Sequence, residues 1–144
     1  MVTVTAVCLS EAKGVRKHAV ECLELVEDFG AKGDAHAGSG RQVSLLALED
    51  VDGMRVKLPT LGPGDFAENL LVAGLGSLSL AIGDRIRVGD AVLLEITQIG
   101  KECHSDCEIR RIVGKCVMPT KGLFAKVVQG GVVRPGDELT VQSG

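Results

Sequence analysis

The chain has 144 residues, a formal net charge of −3 at pH 7 and an aromatic content of only 2%. A chain of this length can bury a sizeable core as one domain, which we place at residues 1–144. The acidic balance and the lack of tyrosine and tryptophan argue against nucleic acid as a partner, because nucleic acids bind cationic grooves and stack on aromatic rings. No apolar run in the sequence approaches the length that spans a bilayer, so we expect no membrane partner.

The cysteine pattern indicates a reducing compartment. There are five cysteines, an odd number, and their spacing forms no regular disulfide framework. The opening MVTVTAVCLS has neither the basic start nor the long apolar run of a signal peptide. We therefore expect the protein to be cytoplasmic.

Short apolar stretches between turn residues predict a mainly β fold. Period-two alternation and turn spacing place strands at Val2–Val7, Gln42–Leu46, Asn69–Val72, Arg85–Val88, Val92–Gln98, Leu123–Val128 and Glu138–Val141. Gly89–Asp90 predicts a tight hairpin between two of these strands. A short helix is expected at about Ala47 to Lys57, and residues 13–34 are interpreted as an irregular excursion.

The fold class that we predict is all-β with short helices, as a closed or nearly closed β-barrel. Closure is favoured because it removes exposed strand edges. The sequences IGDRIRV (Ile82–Val88) and PGDELTV (Pro135–Val141) share a pattern, which suggests two equivalent turn-plus-strand units around the sheet.

Three cysteines lie in one cationic stretch, Gly100 to Val127. Cys103 and Cys107 are four residues apart, so a helical turn or a tight loop would bring both sulfurs to one side, and Cys116 follows. Cationic surroundings favour the thiolate, the form that attacks electrophiles and binds metals. We interpret Cys103 and Cys107 as functional, and Cys8 and Cys22 as small buried hydrophobic residues.

Two other uses of these thiols stay open. A zinc site has suitable ligand types, but Cys103 and His104 are adjacent, which makes one tetrahedral site awkward. Alternatively, Cys103 and Cys107 form a reversible disulfide in a metal-free thiol redox or sulfur-relay protein.

An ordered set of segments resembles the standalone bacterial MOSC domains, the family named after the C-terminal domain of molybdenum-cofactor sulfurase. The segments that carry the resemblance are KGVRK, LVEDFGAKGDAHAG, RQVSLLALE, GPGDFAENLLV, LAIGDRIRVGDAVLLEITQIGKECHSDC and GKCVMPTKGLFAKVVQGG. The resemblance implies a β-barrel of the MOSC type that binds the molybdenum–pyranopterin cofactor and carries or transfers sulfur or metal through a cysteine. In this sequence the matching candidates for that cysteine, and for a metal ligand, are Cys103 and Cys107.

The implied cofactor also has a phosphate and a pterin ring. The phosphate calls for cations, for which Arg41, Lys101 and Arg111 are candidates. Asp34 and His36 lie in the same glycine-rich stretch as Arg41, which could close over a ligand, although Arg41 pairing with Asp34 to hold the loop is an equal alternative. A further group, Asp65, Glu68 and Asn69, is suited either to hydrogen bonding with the pterin amides or to turn chemistry.

The resemblance leaves the activity open. If the protein is an enzyme, it transfers sulfur to the cofactor or carries out a molybdenum-dependent reduction, since some relatives reduce N-hydroxylated compounds. No stretch of the sequence resembles the pyridoxal-phosphate domain of the sulfurase, so we expect no cysteine desulfuration by that route. A non-catalytic carrier would deliver the cofactor to a molybdoenzyme or a cofactor-biosynthesis protein.

Overall fold

A computed structural model of the chain describes residues 2–10, 17–34, 37–38, 42–54, 68–75, 78, 80–99 and 122–142. Of these residues 57% lie in strands and 8% in helices, which confirms the mainly β prediction. The elements are β1 (Thr3–Leu9), β2 (His18–Val20), β3 (Leu23–Val26), β4 (Gly30–Ala31), β5 (Val43–Ala47), α1 (Leu48–Met54), β6 (Leu70–Ala73), β7 (Arg85–Val88), β8 (Val92–Ile99), β9 (Leu123–Gln129), β10 (Gly131–Val133) and β11 (Leu139–Gln142). Within the described part of the chain, no helix is long and apolar enough to cross a membrane.

The strands form two sheets. The larger has eight strands in the order β11-β7-β8-β9-β5-β6-β1-β2, and the smaller has three in the order β10-β3-β4. Neighbouring strands are antiparallel except for β5 and β6, which are parallel. Each strand predicted from the sequence is present within two residues of its expected ends, and β7 and β8 form the predicted hairpin.

The prediction of an irregular excursion at residues 13–34 was wrong where the structure describes them. Strands β2, β3 and β4 lie there, and β3 alternates buried Leu23 and Leu25 with exposed Glu24 and Val26. This alternation covers only four residues and follows the charged turn at Glu21. A sequence window long enough to test for a helix therefore includes residues outside this strand, and their pattern obscures the alternation.

No sheet closes into a barrel among the described residues, so the predicted closure was also wrong. Strand β2 pairs with β1 only at Val7–Leu9. Beside the start of β1, a single bridge joins Thr3 to Glu138, and Val4 exchanges backbone hydrogen bonds with the turn before β11. The two margins of the sheet thus meet over a few residues without forming a ladder.

The main core lies on one face of the large sheet. Val7 of β1 is opposite Leu70 of β6, Leu70 is beside Leu45 of β5, and Leu45 is opposite Leu123 of β9. All four belong to the main apolar cluster. Helix α1 begins one residue after the predicted start, and its predicted end at Lys57 lies outside the described residues. It packs on β5 and β6 and buries Val51 completely.

Candidate functional site

The buried polar side chains of the described residues all lie at one end of the large sheet. Because β5 and β6 run parallel and β1 runs against them, the end of β1 meets the beginnings of β2, β5 and β6 there. We call the following residues the buried polar cluster: Ser10, Lys17, Asp34, Gln42, Ser44, Glu68 and Asn69. Buried polar groups destabilise a protein unless they are hydrogen-bonded, so such a concentration is a candidate functional site.

A buried ion pair forms one part of the cluster. The Lys17 ammonium is 2.6 Å from Oδ1 of Asp34, and the two side chains are only 1% and 0% exposed. The backbone N–H of Ser10 donates to the same oxygen at 3.0 Å. Asp34 follows β4, Lys17 precedes β2 and Ser10 follows β1, so one carboxylate oxygen joins the ends of three strands.

A hydrogen-bonded group around Asn69 forms the second part. Its side-chain oxygen accepts from the backbone N–H of Ser44 at 3.0 Å and from the Ser44 hydroxyl at 3.2 Å. Its side-chain NH2 donates to the carbonyl of Cys8 at 3.0 Å. The Asn69 side chain therefore joins β1 and β5 at the start of β6, and Glu68 beside it is fully buried.

Gln42 connects the cluster to the small sheet. Its side-chain oxygen accepts from the backbone N–H of Val127 at 3.1 Å, and its NH2 donates to Asp28 at 3.3 Å. The backbone at this point is close-packed, because a Cβ on Gly30 (φ +124°) would lie 2.7 Å from the carbonyl oxygen of Gln42. Only glycine adopts that conformation without strain. Gln42 and Asp34 are thus held at the two ends of the glycine-rich stretch.

Three of the predicted cofactor-binding residues are described, and all three are buried. Asp34 bonds Lys17 and Ser10, and the predicted pairing of Asp34 with Arg41 lies outside the described residues. Asn69 uses its side chain on the protein itself. Their contact with a cofactor stays a prediction. The remaining candidates, which lie outside the described residues, are Arg41, His36, Asp65, Lys101, Arg111, Cys103 and Cys107.

The prediction that Cys8 and Cys22 are buried is right for one of these two described cysteines and wrong for the other. Cys8 is buried, as predicted, but Cys22 is exposed in the turn between β2 and β3. The apolar neighbours that suggested burial are on a strand whose residues alternate between the two faces. Among the described side chains, no three His, Cys, Asp or Glu residues are grouped so as to hold a metal ion.

Sequence reasoning missed Lys17 and Ser44. Lys17 was one cation in the string KGVRK, and its partner is 17 residues away. Ser44 lies inside a strand that is buried at all five positions. The signal available in the sequence was the nearly continuous apolar run VSLLA, which is typical of a fully buried strand, because a serine in such a strand needs a hydrogen-bond partner.

Comparisons with known proteins agree with this architecture. The crystal structure of YuaD from Bacillus subtilis has a TM-score of 0.80 at 20% identity, covering 100% of this chain and 97% of that one. YiiM from Geobacillus stearothermophilus has a TM-score of 0.75 at 17% identity, covering 99% and 76%. The corresponding values for YiiM from Escherichia coli are 0.66, 21%, 99% and 69%. At these identities the likeness shows the fold alone.

No curated protein matches the sequence significantly. A family model does: the one described as MOSC domain matches residues 32–140. The matched region runs from the residue after β4 into the last strand and includes Asp34, Gln42, Ser44, Glu68 and Asn69 of the buried polar cluster. Since the match spans most of the sequence, the chain belongs to the MOSC domain family.

Proposed function

We propose that this MOSC domain binds the molybdenum–pyranopterin cofactor and carries or transfers sulfur or metal through Cys103 or Cys107. The observation that carries the proposal is the family match over residues 32–140, because the MOSC family is associated with molybdenum-cofactor binding. The cysteines lie within the matched range. Molybdenum, when bound, supplies a soft metal centre to which a thiolate is a suitable donor.

The described residues fit a supporting role in such a site. A pterin ring requires donors and acceptors at fixed positions, and these are precise only where the surrounding backbone is rigid. Asp34 and Gln42 fix the two ends of the stretch that carries His36 and Arg41. The Ser44 hydroxyl accepts a hydrogen bond from the backbone N–H of Asn69 at 3.0 Å and so fixes the chain next to Glu68. We propose that these groups hold the binding segments in place.

We propose that the other candidate residues contact the cofactor directly. Arg41, Lys101 and Arg111 provide cations for the phosphate of the cofactor, which charge-assisted hydrogen bonds hold most strongly. His36 and Asp65 provide hydrogen-bonding groups for the pterin. The partner implied by this function is a molybdoenzyme or a protein of cofactor biosynthesis, and the implied compartment is the cytoplasm.

The proposal is tested by making the protein in cells that synthesise the cofactor. We expect the purified protein to contain molybdenum and a pterin that fluoresces after oxidation, both in stoichiometric amounts. The Cys103→Ser, Cys107→Ser double variant should lose the metal, since a hydroxyl is a poor donor for it. Cys22→Ser is the matched control, because Cys22 is an exposed thiol in the described structure and its loss should change nothing.

The same measurements separate the alternatives. A wild-type protein that contains neither molybdenum nor pterin would contradict the proposal, and a mass loss of two hydrogens on mild oxidation would then favour the thiol relay. Reduction of an N-hydroxylated compound by the loaded protein would identify the molybdenum oxidoreductase.

Alkylation identifies the reactive sulfur. The exposure of Cys22 means that it will react in the wild-type protein, so the experiment is done in the Cys22→Ser variant. There we expect labelling of Cys103 or Cys107 before Cys8 and Cys116, and protection by bound cofactor. Equal rates at all four cysteines would contradict the assignment.

A further inference from the structure

We propose that Lys17 is a positioning residue for the cofactor site and acts through the Asp34 carboxylate. This inference rests on the function proposed above. The observation that supports it is the contact of 2.6 Å between the Lys17 ammonium and Oδ1 of Asp34, with both side chains almost completely buried. Nothing in the sequence had singled out Lys17 as a functional residue.

A buried ion pair is a poor device for stability alone. Removing two charges from water has a penalty that their attraction only partly repays, and apolar replacements of similar volume often leave a protein as stable or more stable. A buried pair does favour a single arrangement of the two side chains, because any arrangement that separates them leaves a buried charge unpaired. The Lys17–Asp34 pair therefore selects one geometry for the strand ends that it joins.

Backbone hydrogen bonds extend that geometry to Ala37 and Gly38, the described residues after Asp34. The backbone N–H of Asp34 donates to the carbonyl of Ala31 at 3.0 Å, and the carbonyl of Asp34 accepts from the N–H of Ala37 at 3.2 Å. The N–H of Gly38 donates to the carbonyl of Phe29 at 2.6 Å. Both the side chain and the backbone of Asp34 are thus fixed, and Lys17 fixes the side chain from across the sheet end.

A double-mutant cycle tests this inference. The four proteins are the wild type, Lys17→Met, Asp34→Asn and the combination, and the probe is molybdenum–pyranopterin cofactor released from a purified molybdoenzyme. We expect each single substitution to raise the Kd by roughly 10- to 100-fold, the range typical of residues that orient a ligand-binding group. The combination should bind no more weakly than Asp34→Asn, since Lys17 then has no carboxylate to orient.

The cycle is restricted to proteins that are folded by circular dichroism at the temperature of the assay. If Lys17→Met does not fold, the decisive comparison is between Asp34→Asn and the double variant, in which the buried anion is gone. A further increase in Kd on adding Lys17→Met to Asp34→Asn, beyond about twofold, would mean that Lys17 acts independently and would overturn the inference. A folded Lys17→Met protein with the Kd of the wild type would also overturn it.

Lys32→Met is the matched control, because Lys32 pairs with Glu24 at 3.5 Å and is 72% exposed. It makes the same chemical change at the surface and should leave the Kd unchanged. Failure of the wild type to bind the cofactor would refute the proposed function itself. Binding by the wild type together with normal binding by the variants would refute only the role of Lys17.

Discussion

Strands β7, β8 and β11 form one region of the large sheet, and the ends of β1, β2, β5 and β6 form another. In the first region the buried residues are all apolar, with Ile86, Leu94 and Ile96 fully buried. Its Glu95 lies at the surface, between Arg85 of β7 and Lys126 of the neighbouring β9. The second region, by contrast, contains the whole buried polar cluster.

This difference shows that one part of the sheet is suited to stabilising the fold and the other to fixing the positions of particular residues. Apolar burial is non-directional and roughly proportional to area, so the first region needs only the correct alternation of side chains. Buried hydrogen bonds and charges are directional and strongly destabilising when broken. The second region therefore fixes a particular geometry, and substitutions in the two regions should differ in how they can be rescued.

The largest expected effect is that of Lys17→Met on stability. It leaves the Asp34 carboxylate buried without its cation, which lowers the free energy of unfolding by about 3–5 kcal/mol. Urea denaturation at pH 7 measures the change. The Lys17→Met, Asp34→Leu double variant should recover part of the loss, because it removes both charges and keeps the volume, while the backbone N–H of Ser10 loses its acceptor. A double variant less stable than Lys17→Met would contradict the account of the pair.

In the apolar region, Leu94→Ala provides the comparison. Leu94 is 0% exposed, so the substitution should lower the free energy of unfolding by about 2–5 kcal/mol through lost burial and a residual cavity. No polar partner is involved, and only a larger apolar side chain restores the stability. The control is Ile82→Ala at a side chain that is 66% exposed, where we expect a change within about 0.5 kcal/mol.

Asn69→Leu has an intermediate effect. It removes the acceptor for the backbone N–H of Ser44 and the donor to the carbonyl of Cys8, and it leaves these buried groups unsatisfied at about 1–3 kcal/mol each. Ser44→Ala is the control, since it keeps the backbone N–H that bonds Asn69 and loses only hydroxyl contacts. Urea denaturation of the two variants should therefore rank Asn69→Leu as the less stable, and the reverse order would contradict the structural role of the amide.

The regular parts of the fold could be predicted because their signals are local. The two turns before β7 and β11 show this: Gly83 has a φ of +96° and Gly136 a φ of +99°. In each turn the aspartate side chain accepts from the backbone N–H three residues earlier, at 2.8 Å and 2.9 Å. The shared Gly-Asp pattern thus predicted two equivalent turn-plus-strand units. The closed barrel did not follow from it, because closure depends on how distant strands meet.

The buried polar cluster could not be predicted because its contacts are distant in sequence. Asn69 and Cys8 are 61 residues apart, and Gln42 and Val127 are 85 apart. A serine or asparagine near a strand looks the same in the sequence whether its side chain caps a turn or joins three strands. The cysteine site remains a prediction, since Cys103 and Cys107 are outside the described residues.

The smallest expected effect is that of Glu95→Gln at the surface of the apolar region. The pKa of Glu95 lies below the ordinary value of 4.5, chiefly because of the hydrogen bond from Arg85, with a further contribution from Lys126 and opposed by partial desolvation. A lowered pKa means that the unfolded chain takes up the proton more readily. The stabilisation is therefore complete above the ordinary value and is lost as the pH falls through the lowered pKa.

We accordingly expect Glu95→Gln to shift the urea midpoint slightly downward at pH 7, and the difference from the wild type to vanish in acid. High salt should reduce the difference at pH 7, because exposed ion pairs are screened. Asp90→Asn is a suitable control, since the hydrogen bond from Arg87 goes to the backbone carbonyl of Asp90, which the substitution keeps. A Glu95→Gln difference that persisted unchanged below the lowered pKa would show that the glutamate acts by packing across β7, β8 and β9, and the contrast between surface charges here and buried charges at the other end would be weaker than we infer.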